Sequence, residues 1–127
     1  KLIDLTGYTL LPGFVDAHVH LSFDGGQDPQ RGIEKRTDSE LLGVMRRGAA
    51  GILDVGVTTA RDLGAPNLLD LRLKQEIQQG LHLGPRLLVA GRPLTSKGGH
   101  CAFLGGGIET IDDADIPKIV DYLSQTY

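Results

Sequence analysis

Leu11-Pro12-Gly13-Phe14-Val15-Asp16-Ala17-His18-Val19-His20 decides how this chain is read: an apolar run opens on a Pro-Gly turn and delivers two imidazoles at its far end. Successive side chains of a β-strand alternate faces, so His18 and His20 share a face and can reach one metal ion. Phe14, Val15 and Ala17 suit a strand buried on both faces. Polar groups gather at its carboxyl end, where parallel α/β folds place their sites. The pair alone is a short pattern, and two histidines at a strand end can equally be solvated side chains without a ligand. Asp16 shares their alternation, and its depth in the segment fits a buried, hydrogen-bonded structural role.

Outward from that strand, helices and strands alternate. Thr37-Asp38-Ser39-Glu40 has the form of a capping box and predicts a helix start. Leu41, Met45, Ala49, Ile52 and Leu53 then recur at helical steps until Gly56, a stripe that core packing explains, with Arg46 and Arg47 on the solvated side. Asn67 is placed to cap a second helix with Leu69, Leu73 and Ile77 on its buried edge, ending at Gly80. Asp115-Ile116-Pro117 opens a third. Strands are predicted near 13–20, 57–62 and 86–91, residues 24–36 read as a loop, and Lys1 to Thr9 as a short strand and turn. The fold class is therefore α/β, built of parallel βα units with right-handed crossovers.

Four segments, in order, carry a resemblance. Leu10 to Leu21 is similar to the opening strand of the amidohydrolase superfamily, metal-dependent hydrolases on a distorted (β/α)8 barrel. Gly56-Val57-Thr58-Thr59-Ala60-Arg61-Asp62-Leu63-Gly64 resembles its second strand, and Gly84 to Arg92 its third. Gly98-Gly99-His100 is similar to a loop of the branch containing imidazolonepropionase and the Xaa-Pro dipeptidase-like enzymes. The resemblance implies that residues 10–127 are the first three or so units of a TIM-like barrel, and that residues 1–9 end a β-sandwich-like segment. It implies further that His18 and His20 are metal ligands and that His100 contacts substrate; from the residues alone, His100 can equally be a loop histidine.

The implied cofactor is a divalent metal, with zinc suited to neutral imidazoles, and the implied reaction is metal-dependent hydrolysis of a C–N bond in a small amide, lactam or dipeptide. In the family the remaining ligands come from later strands: a carboxylated lysine or glutamate, two histidines, and a proton-shuttling aspartate. Asp16, Asp62 and Glu109 are not substitutes for them. Arg61 and Asp62 are read as a salt bridge or loop brace, His82 as a turn residue, Cys101 as no nucleophile, and Gly105-Gly106-Gly107 as a loop without phosphate-cradling spacing.

A complete barrel takes about 250 residues, and this sequence has 127. The expectation is an incomplete part of a hydrolase that does not catalyse alone, with sequence missing at both ends. The competing expectation is a non-catalytic, truncated or split relative acting through a partner chain. Unpaired strand edges favour association with the rest of the barrel or with itself. With 13 Lys+Arg against 16 Asp+Glu, neither nucleic acid nor a membrane is an expected partner. One cysteine and the lack of a charged-then-apolar leader fit a cytoplasmic location.

Overall fold

The computed structural model describes residues 2–106 and Asp121; Glu109 and, apart from Asp121, the third predicted helix, opening at Asp115, lie outside the described residues. Three strands, β1 (Phe14–Val19), β2 (Val57–Asp62) and β3 (Arg86–Val89), form one parallel sheet in the order β1-β2-β3. Helix α1 spans Pro29–Glu34, α2 Asp38–Asp54 and α3 Leu69–Gln78.

The capping box at the start of α2 forms as read. The Thr37 hydroxyl accepts from the Glu40 amide, and the Glu40 carboxylate accepts from the Thr37 amide at 2.9 Å. The Thr37 amide and hydroxyl, both donating to it, hold the Glu40 carboxyl below its ordinary range. The stripe then buries Leu41, Met45 and Ala49 against Ala60, Leu69, Leu73, Leu87 and Val89, so α2 and α3 cover the β2 and β3 portion of the sheet. Gly56 ends the run at φ +94°, with its amide donating to the Leu53 carbonyl.

Six expectations are corrected. Residues 24–36 contain α1, because the Asp28 carboxylate accepts from the Arg31 amide and Pro29 pre-sets the first turn. Asn67 does not cap α3. It sits at φ 53° in a 3₁₀ turn, and its side-chain Nδ2 donates to the Asp38 carboxylate at 2.9 Å, bracing the start of α2. Arg46 is not simply solvated, since it binds Glu76 of α3 through two bonds of 2.9 and 2.8 Å. That fork keeps the Glu76 carboxyl low and raises the guanidinium. Neither β1 nor Asp16 is buried: Val15 is 70% exposed, and Asp16 accepts from the His18 amide at the surface, because β1 is an edge strand that packs chiefly on β2. Finally, residues 2–9 form a turn closed by Tyr8 N to Leu5 O but no strand, because among the described residues no strand pairs with them.

Candidate metal and substrate site

The carboxyl ends of the three strands gather the residues singled out from sequence. His18 and His20 lie side by side, ring centroids 5.3 Å apart and planes at 74°. His20 stacks on Phe23 at 4.8 Å, and Phe23 in turn on Phe103 at 6.1 Å, so aromatic packing fixes one face of the His20 ring. Its Nδ1 faces the Gly64 carbonyl at 3.5 Å. Burial holds His20 below the ordinary imidazole range; the Gly64 carbonyl opposes this, and the nearby His18 and His100 add to it. A neutral imidazole is the form that binds a metal ion.

Two hollows of about 390 and 460 Å³ open here, and His18, His20, His100 and Cys101 line both. The first is completed by Leu63, Arg92 and Leu94 among others, the second by Phe23, Gln27 and Phe103. His100 is carried there by a loop that needs its glycines. Gly98 has φ +67°, and a side chain on Gly99 would meet the Ser96 hydroxyl at 2.5 Å. Among the described residues no group of three or more His, Cys, Asp or Glu is placed to hold a metal ion.

The loops around the site are tied by two buried carboxylates. Asp62, fully buried at the end of β2, accepts from the Leu21 amide at 3.2 Å and from the Gly64 amide at 3.1 Å. The loop-bracing reading of Asp62 therefore applies. Arg61 instead donates to the Ala17 carbonyl at 2.8 Å, tying β2 to β1. Asp70, which sequence reading passed over, accepts from the Gly91 amide at 2.7 Å and so pins the loop after β3 to α3. Its only signal was a carboxylate beside the apolar stripe of a helix's first turn. Burial raises its pKa. His82 lies 3.8 Å from Glu76, away from the hollows.

Burial pushes the Asp62 carboxyl up to about 7 from an ordinary 3.8, against the pull of its two amide donors and with a push from Asp70. Between those values the folded chain binds a proton that the unfolded chain has lost. The Asp62 contribution is thus full below about pH 4 and is lost as pH rises to about 7. Relative to Asp62→Asn, the wild-type chain is expected to lose stability across that window and to level off above it. Urea midpoints from pH 4 to 9 check this, and a wild-type chain that gains stability relative to Asp62→Asn as pH rises would contradict it.

The sequence profile described as "Amidohydrolase family" matches residues 9–124. This chain belongs to that family. It is 41% identical over 58 residues to an imidazolonepropionase of Phocaeicola vulgatus, a match covering 46% of this chain and 14% of that protein. It resembles the crystal structure of an amidohydrolase with TM-score 0.69 and 22% identity, covering 99% of this chain and 34% of that one. A prolidase solved with N-methylphosphonate-L-proline gives TM-score 0.66 and 22% identity, covering 99% and 36%. The chain thus spans about a third of the length of these structures.

Proposed function

We propose that this chain supplies the first three βα units of a (β/α)8 barrel and two ligands, His18 and His20, of a divalent metal centre that hydrolyses C–N bonds. The observation that carries this is the meeting of both imidazoles at the carboxyl end of a parallel strand, beside hollows that His100 also lines. The donors fit the ion, because neutral imidazoles suit zinc and related divalent metals, and later strands would complete the set. A bound ion would polarise a substrate carbonyl and lower the pKa of water. His100 contacts the substrate, a small amide, lactam or dipeptide; the matches to an imidazolonepropionase and a prolidase support that class. Residues 10–127 constitute the barrel portion, and residues 1–9 border a β-sandwich-like segment.

Titration of the purified chain with Co²⁺ tests the metal reading. Saturable visible absorbance of an imidazole-ligated ion is expected, and its absence would sink the reading.

The exposure of β1 on both of its faces favours association as a second property. Val15 is 70% and Phe14 57% exposed, next to Leu10 and Leu11. Sedimentation velocity over a concentration series is expected to show self-association of the chain; a monomer at every concentration would refute this. No helix among the described residues is long and apolar enough to cross a membrane.

A further inference from the structure

We infer that Asp62 is a positioning residue for the metal site, acting on His20 through two backbone amides and the Gly64 carbonyl. The inference rests on the proposed ligand role of His20.

One oxygen of Asp62 accepts from Leu21 N, the amide immediately after His20, and fixes where β1 delivers that residue. The other accepts from Gly64 N and fixes the turn whose carbonyl faces His20 Nδ1 at 3.5 Å. A carbonyl only accepts, so this contact requires the proton on Nδ1 and leaves the Nε2 lone pair free for a metal ion. Gly64 is itself held in place. At φ +124° a side chain there would meet Pro93 Cδ at 2.8 Å and the Gly91 carbonyl at 3.1 Å. The neighbouring Ala65 amide donates to that same Gly91 carbonyl at 3.1 Å. Asp62 does not touch the reacting atoms; it sets the tautomer and aim of a residue that does.

A carboxylate can accept both amides, whereas the asparagine side chain has one oxygen and turns an NH₂ toward the second donor. Asp62→Asn keeps the volume and breaks one of the two ties. Gly64→Ala disturbs the same carbonyl without changing the carboxylate.

The test is a long-range ¹H–¹⁵N correlation spectrum of the histidine rings of the full chain, recorded above pH 7 without metal. In the wild type His20 is expected as the Nδ1–H tautomer, and the Nε2–H tautomer there would overturn the inference before any variant is made. In Asp62→Asn with a native amide spectrum, the Nδ1–H preference should be lost, and Zn²⁺ affinity should fall about 10–100-fold. An unchanged His20 tautomer in that variant would overturn the inference. Should Asp62→Asn not fold, Gly64→Ala is read by the same two criteria. Zn²⁺ added to the wild type separates the two readings. If the tautomer depends on Asp62 but Zn²⁺ leaves the His18 and His20 resonances unmoved, the metal reading fails and the positioning stands. If Zn²⁺ shifts both resonances while the tautomer ignores Asp62, the reverse holds.

Discussion

His20→Ala is expected to lower the affinity of the chain for Zn²⁺ by about 100-fold or more, measured by competition with a chromophoric chelator. The size follows from a comparison: partners that only orient a ligand are worth about 10–100-fold, and His20 is proposed as a ligand itself. His18→Ala should act alike, because the two rings stand 5.3 Å apart at the end of the same strand and neither can replace the other. His100→Ala is the contrasting case. It lines the same hollows but is assigned to substrate, so Zn²⁺ affinity should stay at the wild-type value. Equal affinity in wild type and His20→Ala would remove the metal assignment. A loss as large for His100→Ala would move His100 from substrate contact to ligand.

Leu73→Ala is expected to destabilise the fold by about 3 kcal/mol, within the 2–5 kcal/mol span of buried leucine truncations. Leu73 has no exposed surface and packs from α3 into the cluster that joins α2 to the sheet. Its removal takes away transfer free energy and leaves a cavity, because helices bridged by the Arg46–Glu76 fork cannot close freely over the gap. Leu83→Ala makes the control. That side chain is 77% exposed, and its loss should change stability by no more than about 0.5 kcal/mol. Urea unfolding with a common slope reads both variants. A Leu73→Ala cost as small as that of Leu83→Ala would mean that this cluster is not the core.

Local patterns predicted the elements where local interactions suffice. The capping box at Thr37 and Glu40 needs only residues three apart, and the α2 stripe needs only helical periodicity, so both were legible. The strands read near 57–62 and 86–91 from their alternation with the helical stripes both form, the second over 86–89. Asn67 shows the limit. Its type suits a cap, but its side chain found a better partner in Asp38, 29 residues away, and no local rule holds that information. The burial of β1 was overread for a related reason, since an apolar strand says what it can cover and not whether anything covers it.

The candidate site divides along the same line. The sequence by itself determined that His18 and His20 share a strand face, that a glycine loop presents His100, and that parallel βα units bring strand ends to one side. Spacing and chain stiffness are enough for that. Only the tertiary structure decided that Asp62 and Asp70 are buried fasteners of the surrounding loops and that Gly64 offers its carbonyl to His20. Three of these contacts, Asp62 to Leu21, Asp70 to Gly91 and Gly64 to His20, join residues 21 to 44 positions apart, and the distances that make them hydrogen bonds exist only once the strands have paired.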